Sequence, residues 1–258
     1  MAIRIGHASI DENGKIIGGK AGDQTNKEIC FRSWYSKPWN VYLVCKDVAL
    51  ADKAANIMEQ ICADNNFGYD QSERLSGYNS IVKNGNKIRG AKGEFDCSSL
   101  VSACYKLAGL DISVSNTTRS IRTSFLATGK FEAFADKSHL ISDKFAKRGG
   151  IYLKEGSHVV MALEDGLGEN PYPVPKTTIY YDHENNKVVC KGDTVKWVQY
   201  ELIKDGIAEV EVDGVIKKLS IDGSCGKITD AAIRVYQNKH GLLVDGKVGP
   251  NTRKSFLN

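Results

Sequence analysis

The sequence predicts an α+β domain followed by a small three-helix domain. Three observations support this: helical and strand-like patterns mix over the first 190 residues, prolines cluster at 171–175, and the last part of the chain contains an internal repeat. The 258 residues are 41% hydrophobic and 26% charged, which is an ordinary globular composition. That composition excludes disordered, collagen-like and coiled-coil proteins.

Three helices and several strands are predicted in the first domain. Residues 47–65 form the first helix, because Asp47 is a suitable N-cap and Ala54, Met58 and Ile61 lie on one apolar stripe. A second helix covers 97–107 and stops at Gly109, and a weaker third covers 119–127. Strands are predicted at 151–154 and 158–163, followed by a hairpin within 177–190.

The domain boundary is predicted at 190/191, giving domains 1–190 and 191–258. Pro171, Pro173 and Pro175 form an extended stretch before it. Beyond it, residues 219–229 match residues 242–252, and each copy has an Asp-Gly turn, a second Gly and then a Thr at the start of a helix. Helices are therefore predicted at 193–204, at 228–239 and at the C-terminus, with the insertion 207–218 as a hairpin.

Charge and cysteine usage exclude several classes of function. A net charge of +4 is too small for a typical nucleic-acid-binding protein, so no nucleic-acid partner is expected. No apolar run is long enough to span a membrane, and no secretory signal is recognisable at the start, so we expect synthesis in the cytoplasm and no membrane insertion. Seven cysteines without a Cys-x-x-Cys pair support neither a disulfide framework nor a zinc site. We expect no metal and no cofactor.

One of these cysteines is a candidate nucleophile. Cys97 lies in the first turn of a predicted helix, where the macrodipole favours a thiolate. A nucleophilic cysteine needs a base from elsewhere in the fold, and His158 at the start of a strand is suited to that role. Cys104, two turns further along the helix, is expected in the core. Of the remaining histidines, His7 could approach the site but carries no independent signal.

The segments around these two residues resemble a known group of enzymes. Phe-Asp-Cys-Ser-Ser-Leu-Val at 95–101, Lys-Arg-Gly-Gly-Ile at 147–151 and Ser-His-Val-Val at 157–160 resemble the NlpC-type and CHAP-type peptidoglycan hydrolases, which are papain-like cysteine enzymes. The repeat at the C-terminal end resembles the peptidoglycan-binding domain of cell-wall hydrolases. The whole chain therefore resembles a modular phage endolysin, with a papain-like hydrolase domain before a three-helix wall-binding domain.

The resemblance assigns roles to individual residues. Cys97 is the implied nucleophile, and His158 is the general base and then the acid that protonates the leaving amine. The residue that orients the imidazole is expected on the next strand, which points to Asn170, with Glu169 as the alternative. The chain departs from the family pattern at Gly150, where an aspartate is usual, and at Ser157, where a glycine is usual.

Two further residues are candidates for binding substrate. Asp96 is by its position a helix N-cap, and the resemblance adds recognition of the free amine of a stem peptide. Tyr69 lies upstream, where such enzymes place a tyrosine near the oxyanion, although ordinary packing also explains it.

The implied activity is cleavage of an amide in the stem peptide of peptidoglycan, as an endopeptidase. The alternatives are an N-acetylmuramoyl-L-alanine amidase that uses the same Cys-His pair and a non-catalytic protein that only binds the wall. The implied partner is bacterial peptidoglycan. We expect a monomer that is made in the host cytoplasm and acts on the wall after release.

Overall fold

The computed structural model describes residues 2–257, which fall into two compact units that divide between Gly168 and Glu169. This division precedes the predicted boundary at 190/191. Residues 169–190, which were expected to end the first domain, belong to the second unit, where Ile179 and Tyr181 are buried in the core. Ile179 also pairs with Val248 in an isolated antiparallel bridge. The predicted hairpin thus contributes apolar side chains to the C-terminal core.

The first unit is built on a six-stranded antiparallel sheet. Its strands are β1 (Arg4–Ala8), β2 (Ile29–Ser33), β3 (Val41–Cys45), β6 (Phe131–Phe134), β7 (Ile151–Lys154) and β8 (His158–Ala162). They lie in the order β2-β1-β8-β7-β3-β6. The first of these strands in the chain, β1, therefore lies directly beside β8, which comes last in the chain. Two short strands, β4 (Phe67–Tyr69) and β5 (Gly93–Phe95), form a separate parallel pair.

Five helices accompany these strands: α1 (Val48–Cys62), α2 (Ser76–Lys83), α3 (Cys97–Ala108), α4 (Ile121–Ala127) and α5 (Lys137–Leu140). The caps of α1 and α3 confirm the helix starts predicted from the sequence. Asp47 accepts a hydrogen bond from the Leu50 N–H at 3.1 Å, and Asp96 accepts one from the Ser99 N–H at 2.6 Å. Gly109 ends α3 in the left-handed conformation. Helices α1 and α3 pack together over the sheet in the main apolar core.

The segment before β7 explains one departure from the family pattern. A Cβ atom added at Gly150 would overlap the hydroxyl of Tyr42, so an aspartate does not fit there. Arg148 instead supplies the charged contacts, pairing with Asp52 at 2.8 Å and with Glu59 at 2.9 Å on α1. The start of β7 is thereby tied to the helix that covers the sheet.

The second unit contains the three predicted helices and one hairpin. These elements are α6 (Asp193–Lys204), β9 (Glu209–Val212), β10 (Val215–Lys218), α7 (Lys227–Lys239) and α8 (Pro250–Phe256). The insertion 207–218 is the antiparallel hairpin β9–β10, which turns at Asp213 and Gly214 with positive φ at both residues.

The first copy of the repeat is organised by one buried glutamine. Gln199 is 1% exposed, and its Nε2 donates to Asp222 Oδ1 at 2.7 Å, Ser224 O at 3.2 Å and Thr229 Oγ1 at 3.0 Å. Its Oε1 accepts from the Gly223 N–H at 2.8 Å. Every polar atom of this side chain is therefore used to hold the Asp-Gly turn against the helix that follows.

The second copy repeats this arrangement. Gln237 is also 1% exposed and donates to Asp245 Oδ1 at 2.8 Å, Lys247 O at 3.0 Å and Thr252 Oγ1 at 3.3 Å. Its Oε1 accepts from the Gly246 N–H at 2.9 Å. The repeat in the sequence is thus a repeat of one hydrogen-bond network.

Candidate active site

The candidate nucleophile lies at the point where β5 gives way to α3. Cys97 directly follows the N-cap Asp96, and only 6% of its surface is exposed. The backbone N–H of Val159 on β8 lowers the pKa of its thiol, so β8 passes close to the sulfur, and α3 packs against β8. Val159 is the neighbour of His158, so the fold brings the start of α3 to the start of the strand that carries the candidate base.

His158 is held among aromatic rings rather than by polar partners. It is 7% exposed, and its ring stacks on Trp39 at a centroid distance of 6.1 Å. A second imidazole, that of His7, meets it edge-on, with the two ring centroids 5.0 Å apart. The Nε2 atom of His158 is buried and has no hydrogen-bond partner among the described residues.

His7 is a site residue that the sequence did not indicate. It lies on β1, which pairs with β8, and it is 3% exposed. Its Nδ1 is buried without a hydrogen-bond partner in the described part of the chain. A single histidine in a short strand carries no recognisable pattern, and only the antiparallel pairing of β1 with β8 places it next to His158.

Burial and nearby cations keep both imidazoles neutral. Burial lowers the pKa of His158 to about 3, with further lowering by His7, Lys37 and Arg32. Burial likewise lowers the pKa of His7 to about 4, and the positive charges of Arg32 and Lys37 add to the effect. Near neutral pH the imidazole of His158 is therefore free to accept a proton.

The thiol is also neutral, which differs from the predicted thiolate. Burial raises the pKa of Cys97 to about 12, and the charge of Asp96 raises it further. The N–H groups of Val159 and Ser98 and the cation of Arg74 act in the opposite direction. Desolvation of the thiolate thus outweighs the stabilisation expected at a helix N-terminus.

A cavity of about 410 Å³ opens at His158 and contains a second predicted residue, Tyr69. The hydroxyl of Tyr69 accepts a hydrogen bond from Gln71 Nε2 at 3.1 Å. Burial raises the pKa of Tyr69 to about 12, so this hydroxyl keeps its proton. The wall of the cavity is formed by His7, Ser9, Ile16, Arg32, Tyr35, Lys37, Tyr69, Gln71, Ser157 and His158.

A larger cavity of about 680 Å³ adjoins the first. It has His7, Ser9 and Arg32 in common with the smaller cavity and is otherwise lined by residues of the segments 10–14 and 25–31. The shared wall means that the two cavities form neighbouring parts of one depression along β1 and β2. Such a depression suits an extended substrate better than a small molecule.

Asp96 is engaged in the structure by groups of the protein itself. Its carboxylate accepts hydrogen bonds from the Ser99 N–H at 2.6 Å and the Ser98 hydroxyl at 2.9 Å. It also pairs with the Arg74 Nε at 2.9 Å. The predicted cap is present, whereas an amine of the substrate would have to compete with Arg74 for this carboxylate.

The candidates for the third catalytic residue lie outside the unit that contains Cys97 and His158. Asn170 and Glu169 belong to the second unit, where the Asn170 amide donates to Trp197 O at 3.0 Å and to Glu201 Oε1 at 2.9 Å. The prediction assumed a strand after β8, but between Ala162 and Gly168 the chain leaves the sheet. The open side of β8 is occupied by β1 instead, which presents His7.

Among residues 2–257, no group of three or more His, Cys, Asp or Glu side chains is arranged to hold a metal ion. Over the same range, every helix is too short or too polar to cross a membrane.

Two family models match the chain. The model described as endolysin-like domain matches residues 5–169, and the model described as putative peptidoglycan binding domain matches residues 191–255. No curated protein and no solved structure shows significant similarity to it. The two matches together indicate a modular protein that acts on peptidoglycan.

Proposed function

The chain belongs to the endolysin-like domain family, and on that premise we propose that it is a cysteine peptidoglycan hydrolase with Cys97 as nucleophile and His158 as general base. The observation that supports the proposal is the packing of α3, which begins at Cys97, against β8, which begins at His158. His158 lines the cavity together with Tyr69, and the charge of Cys97 raises the pKa of Tyr69, so the thiol lies close to that wall.

The resting pair is neutral, so proton transfer accompanies nucleophilic attack. As the Cys97 sulfur bonds to the carbonyl carbon, its proton passes to the imidazole of His158. The tetrahedral intermediate collapses when the C–N bond breaks, and the imidazolium returns the proton to the leaving amine. Water then releases the acyl group, with His158 again acting as the base.

Two donors are suited to the developing oxyanion. One is the backbone N–H of Cys97 in the first turn of α3, which lacks a partner within the helix. The other is the hydroxyl of Tyr69, which remains protonated because its pKa is raised to about 12. Hydrogen bonds from both would stabilise the intermediate more than the ground-state carbonyl.

His7 takes the positioning role that the sequence assigned to Asn170. Its ring edge contacts His158 at a centroid distance of 5.0 Å, while Trp39 covers another side. Two flanking rings limit the rotation of the His158 imidazole. Because the pKa of His7 is lowered to about 4, its ring is neutral near pH 7 and opposes the charge on His158 only in acid.

We propose the stem peptide as the site of cleavage and the second unit as the wall-binding module. The unit matches the peptidoglycan-binding family over residues 191–255. An endopeptidase releases fragments with a new amino terminus inside the stem peptide, whereas an amidase releases the whole stem with a free N-terminal alanine. Mass spectrometry of the soluble fragments separates the two activities.

The decisive experiment measures the loss of turbidity of purified cell walls under reducing conditions. The parent protein is compared with Cys97→Ala and with Cys190→Ser, a matched control that removes a half-buried thiol in the second unit. We expect lysis by the parent and the control and none by Cys97→Ala. Lysis by Cys97→Ala at the parental rate would falsify the mechanism, and wall binding without lysis by the parent would favour a non-catalytic protein.

A further inference from the structure

Two cations in the wall of the 410 Å³ cavity have no acidic partner. Arg32 and Lys37 both line it, together with His7 and His158, and its lining contains no aspartate or glutamate. Among residues 2–257, no carboxylate lies within salt-bridge distance of either cation; the contact found for the Arg32 guanidinium is the face of Tyr35, 5.2 Å from the ring centroid.

The two cations are close to the reacting groups. The Arg32 guanidinium lies over the ring of Tyr35. The ring centroid of Tyr35 is 5.9 Å from that of His7, which is 5.0 Å from that of His158. Lys37 lies two residues before Trp39, whose ring stacks on His158. A group bound between Arg32 and Lys37 would therefore flank the proposed scissile bond.

The two cations oppose the charging of the imidazoles. Each cation lowers the pKa of both imidazoles, so each opposes the positive charge that His158 acquires when it takes the thiol proton. A bound anion would neutralise this field and make His158 a stronger base. Arg32 is exposed and Lys37 is half-buried, so both are accessible to a ligand.

We propose that Arg32 and Lys37 form a subsite for a free carboxylate of the stem peptide, next to the amide that is cut. The inference rests on the proposed function, since it concerns the substrate of the same site. Arginine and lysine both form charge-assisted hydrogen bonds to carboxylates, and an amide in place of the carboxylate forfeits them. The enzyme should therefore discriminate between stem peptides with a free α-carboxylate on their D-glutamate and those in which it is amidated.

The test uses two synthetic muramyl peptides that differ only in that D-glutamate carboxylate, which is free in one and amidated in the other. Cleavage by the full-length protein is followed by chromatography with mass detection, so that both endopeptidase and amidase products are counted. We expect a kcat/KM about tenfold or more higher for the acid, the size typical of one charge-assisted hydrogen bond. The ratio of kcat/KM for the acid to kcat/KM for the amide should fall towards one in the double variant Arg32→Gln, Lys37→Gln. The single variant Arg32→Lys, which keeps the positive charge, should retain part of this ratio.

The matched control is Lys53→Gln, which removes an exposed cation from α1 and should keep the parental ratio. Equal cleavage of the two peptides by the parent overturns the subsite while leaving the hydrolase intact. A double variant that slows both peptides by the same factor shows a structural role and also overturns it. Failure of the parent to cleave either peptide, with walls also intact, rejects the hydrolase itself.

Discussion

The two units use buried polar side chains in opposite ways. In the second unit, Gln199 and Gln237 are fully buried and every polar atom of each has a partner. In the first unit, His158 Nε2 and His7 Nδ1 are buried without a partner and border a cavity. A buried polar atom left unpaired costs about 1–3 kcal/mol, so such atoms persist mainly where function requires them.

The difference separates side chains that stabilise from side chains that react. The glutamines complete a network that would be lost with them, and the buried polar atom without a partner in the described part of their unit is the hydroxyl of Tyr200. The histidines are held by ring packing, because His158 stacks on Trp39 and meets the ring of His7 edge-on. The nitrogens His158 Nε2 and His7 Nδ1 have no hydrogen-bond partner among the described residues. Each prediction below tests whether this division between the two units is real.

The largest effect is expected at His158. Replacement by Ala should reduce the rate of wall lysis by about 10³-fold or more, because the base that activates the thiol is lost. The free energy of unfolding should fall only moderately, by about 1–3 kcal/mol, because the buried ring packs against Trp39 and His7. Lysis assays and urea denaturation of the same samples measure both quantities, and a large loss of stability with little loss of activity would contradict the proposed role.

Replacing the buried glutamines should mainly reduce stability, whereas replacing His158 should mainly reduce activity. Gln199→Ala and Gln237→Ala should each destabilise the second unit by about 2–4 kcal/mol, because several buried partners are left unpaired. Denaturant unfolding and a wall-sedimentation assay measure the loss, with exposed Gln60→Ala as the control in the first unit. The two variants should be alike, and a large difference would show that the repeat copies are not energetically equivalent.

A smaller effect is expected at His7. His7→Gln should lower kcat about tenfold with little change in KM, because the ring positions His158 and does not bind the substrate directly. The acid limb of the pH–rate profile should shift upwards as the pKa of His158 loses one of its depressing neighbours. An unaltered profile together with a raised KM would assign His7 to substrate binding instead.

The last expected effect is a pH dependence of stability in the first unit. The folded pKa values of about 4 for His7 and about 3 for His158 lie below the unfolded value of 6.5, so the unfolded state binds more protons. Stability should therefore fall as the pH drops from about 6.5 to 4, by up to about 1.4 kcal/mol per pH unit for each imidazole.

The ionisation of Glu94 changes the stability in the opposite direction over part of this pH range. Burial raises its pKa to about 7, so its contribution to stability is lost as the pH rises from 4.5 to 7. Denaturation of the parent and of His7→Gln at several pH values isolates the imidazole contribution. An identical pH dependence in both proteins would refute the lowered pKa of His7.

Much of the local structure followed from the sequence because the signals are local. Asp47 and Asp96 cap the helices that they were predicted to begin, and Gly109 ends the second. The two Asp-Gly turns needed only comparison of the chain with itself. The strands β1, β2 and β3 were not predicted, since β1 is buried on both faces and lacks the alternation by which a half-buried strand is recognised.

The site was accessible to sequence reasoning only in part. Cys97 and His158 stood out as a helix-start cysteine and a strand-start histidine, and their proposed roles remain as predicted. Asn170 was predicted from the assumption that a strand follows β8, but the strand beside β8 is β1. Only that pairing places His7 beside His158, because the two residues lie 151 positions apart in the chain and no pattern links them.

The sequence by itself determined the helix ends, the internal repeat, the candidate nucleophile and the candidate base, because caps, turns and periodicity act between residues a few positions apart. The tertiary structure decided the domain boundary, the partner of His158, the neutral state of Cys97 and the unpaired cations Arg32 and Lys37. The reason is physical: burial, strand order and the electrostatic field at a site depend on segments that are distant in the chain and meet only when it folds.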